Sequence, residues 1–261
     1  MEPLWKSLGS LLRTAGRAID GLGCSLQGAY AYTETLTPSL ATMALKSVKP
    51  QLGADVFVAP NATVIGDVKI GRKSSIWYGA VLRGDVNSIS IGDNTNIQDN
   101  AIIHVAKNTP KPATPLPTIV GSRVTVGHGA ILHACTIDDD CLVGMGAQLL
   151  DGVKMERGSI VAAGCMVPPK TVIKSGHIYA GVPGRLLRQL TADEAMFIAS
   201  SAGSYAELAA QHLVENSKTF DEVEWDKVVR QDRLERDPDY DGHMGIARDP
   251  GTREITAIRE N

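Results

Sequence analysis

Of the six histidines, two directly follow a large aliphatic, in Ile103-His104 and Leu132-His133, and a third, His128, lies between Gly127 and Gly129. Neutral imidazole suits Zn²⁺, with Co²⁺ or Fe²⁺ as alternatives, and three imidazoles with one open position form the pattern of a catalytic zinc. Polar residues that could serve such a centre cluster just upstream: Arg83, Asp85, Asn96, Gln98 and Asp99. A carboxylate can brace an imidazole ligand, and an amide can hydrogen-bond a bound water. Any one of these histidines alone would read as an ordinary surface residue.

The elements that must position them follow from a beat of six. Large aliphatics recur as Val64, Ile70, Ile76 and Leu82; as Ile91, Ile97 and Ile103; as Val120, Val126 and Leu132; and as Ile137, Val143, Leu149, Met155, Val161, Val167 and Ile173. This period fits neither a helix nor a simple alternating strand. It is the signature of a left-handed parallel β-helix, in which three hexapeptides make one triangular coil. The fourth residue after each aliphatic must be small enough for a tight corner, as Ala62, Ala80, Ala101, Ala130, Ala147 and Cys165 are.

Counting walls along the chain puts Arg83, His104 and His133 in one outward column beside the first wall. Gln98, Asp99 and His128 fall at the far edge of the third wall. One prism does not bring the two columns together, but two neighbours in a three-fold trimer do. The count therefore predicts a metal site with His104 and His133 from one chain and His128 from the next. Gln98 would contact the bound water, Arg83 would pair with Asp99 across the seam, and Asp85 would brace a ligand. His177 lies near the last coil, and His212 and His243 read as solvated.

Composition narrows the remaining possibilities. A net charge of −3 gives no electrostatic case for nucleic acid. No apolar run approaches the roughly 20 residues needed to span a bilayer. Four cysteines without paired spacing argue against a disulfide scaffold. Cys141 and Cys165 fall at corners and read as buried, while Cys24 fits a free thiol in a reducing compartment.

Four segments are expected: residues 1–46, an N-terminal amphipathic helical segment; 47–188, the β-helix; 189–236, C-terminal helices; and 237–261, an extended tail. In the first, Leu4, Leu8, Leu11, Ala15, Ile19, Leu22 and Leu26 form a helical stripe, expected to break near Gly21-Leu22-Gly23. A cleavable presequence, a surface-lying membrane helix and a partner-docking helix compete. Glu2 and Asp20 favour the docking helix, because presequences avoid acids. Two insertions interrupt the repeats: three extra residues around Val86–Ser90, and a proline-rich extended loop from Lys107 to Thr118. Thr191-Ala-Asp-Glu194 reads as a capping box that opens a long helix through about Glu215, followed by a second over about Asp221–Arg233.

With these residues in place, the chain resembles the γ-class carbonic anhydrases over about residues 50–190. The motifs are Ala80-Val-Leu-Arg-Gly-Asp85, Asn96-Ile-Gln-Asp99, Ile103-His104, Gly127-His-Gly-Ala-Ile-Leu-His133 and Gly144-Met-Gly-Ala147. The resemblance implies that His104, His128 and His133 bind the metal at trimer interfaces and that Arg83 and Asp99 form an intersubunit pair. It also implies that Gln98 and Tyr179 orient hydroxide or bicarbonate, with Asn96 in the same site, for CO₂ hydration by zinc-bound hydroxide. Arg17–Gly28, Ser75-Ile-Trp-Tyr-Gly79 and the helical C-terminus resemble the mitochondrial complex I subunits of this family. Those subunits form heterotrimers peripheral to the matrix side of the inner membrane, where their N-terminal helices meet the membrane arm.

The chain departs from the active prototype at three places. Val86 replaces a glutamate, Gly181 replaces an asparagine, and the loop opening at Lys107 lacks the acidic proton shuttle. Slow turnover follows, since every CO₂ hydrated releases a proton that must be exported. A metal-stapled structural scaffold without catalysis is therefore the alternative. A hexapeptide-repeat acyltransferase is a third, though such enzymes typically use one catalytic histidine.

Overall fold

The computed structural model describes residues 2–32, 40–107, 109–110, 113–114, 116–235, 240–249, 251–252 and 254–258. It divides into two compact units, Met1–Ser39 and Leu40–Asn261. The first contains one long helix, α1 (Glu2–Gln27), and a 3₁₀ turn, Gly28–Tyr30. α1 runs unbroken through Gly21 and Gly23, against the break expected there. Each glycine costs about 1 kcal/mol against alanine, but neither removes a hydrogen bond as a proline would.

The second unit is a parallel β-helix of hexapeptide repeats. Most of its strands are two or three residues long, and they stack in three inward columns. The first runs Val64, Leu82, Ile103, Leu132, Leu149, Val167. The second runs Ile70, Ile91, Val120, Ile137, Met155, Ile173. The third runs Val58, Ile76, Ile97, Val126, Val143, Val161, Tyr179. Nearly every column member is fully buried, and each buried aliphatic is worth about 1.5–3 kcal/mol. With only three Phe and three Trp in the chain, these columns are the core.

The first insertion appears as a register jump. Gly66 pairs with Gly84, but Val68 pairs with Ile89, so the longer strand Val81–Ile91 bows out over Asp85–Ser88. Two glycines permit the close approach at its start. Gly66 has φ +78°, and a Cβ there would lie 2.2 Å from the Gly84 carbonyl oxygen. The proline-rich loop is a small hairpin in its described part, with Thr109–Pro110 antiparallel to Ala113–Thr114; residues 108, 111, 112 and 115 lie outside the described residues.

Beyond the last coil, Arg185–Gln189 folds back antiparallel on His177–Ala180 and closes the prism. α2 (Ala192–Ser217) then starts at the expected capping box: Glu194 N donates to Thr191 Oγ1, and Thr191 N donates to the Glu194 carboxylate. α2 packs on the third wall, burying Ile198, Ala202 and Ala209. α3 (Phe220–Glu235) follows. The segment expected as an extended tail instead contains a helical turn, Tyr240–His243, and a strand pair, Ile246–Arg248 with Ile255–Ile258. The Asp249 carboxylate turns that chain by accepting from Gly251 N and Thr252 N.

Candidate active site

The ladder register puts His133 directly opposite His104, one coil apart on the outer side of the first wall. Their ring centroids are 5.2 Å apart and tilted by 47°. Arg83 continues the same column one coil earlier, because Leu82 pairs with Ile103. His128 stands apart, at the edge of the third wall, one coil from Asp99. Among the described residues of one chain, no three His, Cys, Asp or Glu side chains converge as a metal site.

Each imidazole has one nitrogen held by a carboxylate. His104 Nε2 lies 3.1 Å from Asp85 Oδ1, and His128 Nδ1 lies 2.8 Å from Asp99 Oδ2. His133 Nδ1 is hydrogen-bonded to Asp151 Oδ1. An ionised carboxylate only accepts, so in each neutral ring the nitrogen facing it carries the hydrogen. The lone pair is then left on Nδ1 of His104 and on Nε2 of His128 and His133. This is how metal-binding imidazoles are held in place.

Asp85 is shared. Its other oxygen pairs with Arg83, so within one chain Arg83 meets Asp85, while Asp99 is taken by His128 and by Tyr78 N. Burial alone would raise the Asp85 carboxyl; hydrogen bonds to His104 and Arg83 outweigh it and hold the group below the usual carboxylate range. Cys135, two residues beyond His133, offers no thiolate: burial pushes its thiol up to about 12.

Asn96 and Gln98 are 1% and 4% exposed and lie under α2. Gln98 Nε2 donates to Asn96 Oδ1 at 3.1 Å, and Asn96 Nδ2 donates to Thr125 Oγ1 at 3.0 Å. Among the described residues no buried side-chain nitrogen or oxygen lacks a partner. Gln98 spends only Nε2 on the protein, so its Oε1 is the atom that reaches solvent.

Tyr179 does not join this group. It occupies the inward third column, four rungs from Ile97, or roughly 19 Å at about 4.8 Å per rung. Its hydroxyl donates to Val172 O at the end of the prism. The tyrosine on the correct side is Tyr205 of α2, whose ring packs on Trp77 at 5.6 Å. Burial, and then the Asp99 carboxylate, push its hydroxyl up. His212, expected in solvent, is instead packed by Trp77, Phe57 and Tyr78, and its Nδ1 lies 2.9 Å from Tyr78 Oη.

The described geometry has close counterparts. A family described as gamma carbonic anhydrase 1, mitochondrial C-terminal domain, matches residues 195–256, and a bacterial transferase hexapeptide family matches residues 49–84. Gamma carbonic anhydrase 2, mitochondrial, of Arabidopsis thaliana is 48% identical over 93% of this chain and 87% of its own length. This chain belongs to the γ-carbonic anhydrase family. A probable carbonic anhydrase of Methanocaldococcus jannaschii is 41% identical over 60% of this chain and 95% of its own length. A solved hexapeptide transferase family protein of Anaplasma phagocytophilum superposes with TM-score 0.60 at 42% identity, covering 64% of this chain and 95% of its own.

γ-Carbonic anhydrases are metal-dependent, and the donor set here fits a metal of the zinc class. Three carboxylate-braced imidazoles each present a lone pair, and two of them stand side by side. Sequence reasoning missed Asp151, Thr125, Ser201 and Tyr205. For Asp151 a signal existed, since Leu132 pairs with Leu149 and this puts Asp151 one residue past the rung opposite His133.

Proposed function

We propose that this γ-carbonic anhydrase interconverts CO₂ and bicarbonate at zinc sites shared between protomers of a trimer, and that it serves as a subunit of mitochondrial complex I. The observation that carries the reading is the division of the imidazoles. His104 and His133 stand paired on one wall, and the third braced imidazole, His128, is on another wall of the same chain. A neighbour's His128 completes a three-imidazole set that one chain lacks. The trimer is a homotrimer or one mixed with related γ-carbonic anhydrase subunits.

A zinc ion there would bring the pKa of a bound water to about 7 and so supply the nucleophile for CO₂. The chain's own residues do the rest. Gln98 Oε1 accepts a hydrogen bond from the reacting water and so aims its remaining lone pair. Asn96 holds Gln98 in place. Asp85, kept ionised by Arg83, fixes the orientation of His104; Asp151 and Asp99 do so for His133 and His128. Tyr205, beside Asp99, is a donor for a bicarbonate oxygen at the same edge. In the assembled trimer Arg83 and Asp99 come from opposite sides of one seam and help to hold it closed.

α1 supports the assembly role. Leu8, Leu11, Ile19, Leu22 and Leu26 are all exposed on it, with Arg13 and Arg17 nearby. No described helix is long and apolar enough to cross a membrane. Such a helix fits docking on membrane-arm subunits at the matrix side of the inner membrane, in peripheral contact with lipid. The proline-rich loop from Lys107 to Thr118 has no carboxylate to export protons, which favours slow turnover and gives weight to a metal-stapled scaffold. Metal content and CO₂ hydration, measured on the purified full chain before and after His133→Ala, test the reading. Zinc retained in full by His133→Ala would contradict the site. Zinc lost with no hydration in the unsubstituted protein would leave the scaffold.

A further inference from the structure

The proline-rich loop leaves the prism just after His104 and returns to the same corner. Ala106 N donates to Leu116 O at 3.2 Å and closes the neck of the loop. Thr118, the first residue of the returning strand, is fully buried. Its Oγ1 donates to the His104 carbonyl and accepts at 3.0 Å from the N–H of Ala134, the residue after His133. We infer that Thr118 is a positioning residue: its hydroxyl clamps together the backbone behind His104 and His133, so that the two imidazoles stand as a pair.

Both partners of the hydroxyl are main-chain groups of fixed polarity. An N–H only donates and a carbonyl only accepts, so the hydroxyl has one arrangement that satisfies both. The direct bond between the same two groups is long, with Ala134 N 3.2 Å from His104 O. At this corner of the next two coils the equivalent bonds, Gly152 N to Ala134 O and Lys170 N to Asp151 O, are 2.8 and 2.9 Å. Ala134 also has φ +48°, a conformation that a residue with a Cβ adopts at a cost. Thr118 therefore supplies the nearer acceptor to a strained amide that directly follows a metal-binding candidate. Ser74 makes a similar staple elsewhere, accepting from Thr95 N and donating to Gly92 O, but both of its bonds fall within one turn. Only Thr118 of the two joins one rung to the next. Without its hydroxyl the long bond alone holds the Ala134 N–H, and relaxation of Ala134 towards negative φ turns His133 away from the His104 ring, now 5.2 Å distant.

The proposal deepens the carbonic anhydrase reading and rests on it for the metal that the pair would hold. Its test has an arm that needs no metal. In the metal-free full chain, hydrogen exchange of the Ala134 amide and the NMR signals of the His104 and His133 rings are compared in the unsubstituted protein, Thr118→Val, Thr118→Ser and Ser74→Ala. Zinc affinity, by competition with a chelator, and the urea midpoint are measured on the same proteins. Thr118→Val is expected to lose Ala134 protection, to shift both ring signals and to weaken zinc binding about tenfold. Thr118→Ser, which keeps the hydroxyl, should restore all three. Ser74→Ala should lower the urea midpoint as Thr118→Val does while leaving zinc affinity and Ala134 protection unchanged. In a protein that binds zinc, unchanged affinity in Thr118→Val would overturn the proposal. So would an equal loss of affinity in Ser74→Ala, which would make the effect one of general stability, or a failure of Thr118→Ser to restore it. Ring signals and Ala134 protection that respond as expected in a chain that binds no zinc would uphold the clamp and defeat the metal reading instead.

Discussion

Asp151 and His133 lie one coil apart, and the carboxylate holds Nδ1 of the ring, as Asp99 holds Nδ1 of His128 from one coil away. The stacking that builds the core thus also supplies each imidazole with its brace. Asp151→Asn is expected to leave the fold intact and to weaken zinc binding about 10- to 100-fold. A competition titration against a chromophoric chelator measures this; unchanged affinity would mean that the ring orientation is set elsewhere.

Gly66 governs the approach to the Arg83-Gly84-Asp85 turn. Gly66→Ala meets both a positive φ and a backbone oxygen at 2.2 Å. It should destabilise the β-helix by about 3 kcal/mol or more, seen as a lowered urea midpoint. Gly129→Ala shares the positive φ but has open space around its Cβ. It should cost only about 1 kcal/mol.

Asp140 gives a pH signature. Hydrogen bonding to Arg123, outweighing burial, and then to Arg157 hold its carboxyl below the usual range. A carboxylate with a depressed folded pKa stabilises above its unfolded value, about 3.9, and the contribution vanishes as pH falls through the folded value. Asp140→Asn is therefore expected to lower stability by about 1 kcal/mol at pH 7, with the gap from the unsubstituted protein closing below about pH 4. Urea unfolding at pH 7 and pH 3 checks this; a gap of equal size at both would assign the effect to packing.

His212 anchors α2 to the third wall. His212→Ala removes the hydrogen bond to Tyr78 and the edge contact with Trp77, whose centroid is 4.9 Å away. Hydrogen exchange should accelerate along α2 while the repeats keep their protection. Uniform acceleration would mean that the helix and the β-helix open together.

Much of this was legible because a six-residue beat is a coordinate system. The sequence register alone put His104 and His133 in one column and His128 on another wall, and the ladder has them there. The same arithmetic, carried 18 residues on from Val161, places Tyr179 inside the prism, away from the site that the family resemblance implies for it. Ser201, Tyr205 and His212 were beyond reach for a different reason. They lie on a helix whose docking is decided by tertiary contacts with Thr125, Trp77 and Phe57, and no local spacing encodes which rung each residue meets. The glycines in α1 misled because propensity is a weak prior over a long helix.

Subunit mixing tests the shared site most directly. His128→Ala chains lack the third-wall donor, and chains with both His104→Ala and His133→Ala lack the first-wall pair. Each alone should bind no zinc at the seams. Unfolded together in equal amounts and refolded, they should recover about a quarter of the unsubstituted zinc content, because a seam is intact only when the His128→Ala chain supplies its first-wall flank and the double variant its third-wall flank, one of four equally frequent combinations. Zinc absent from the mixture, or bound in full by either variant alone, would contradict a centre divided between neighbouring chains.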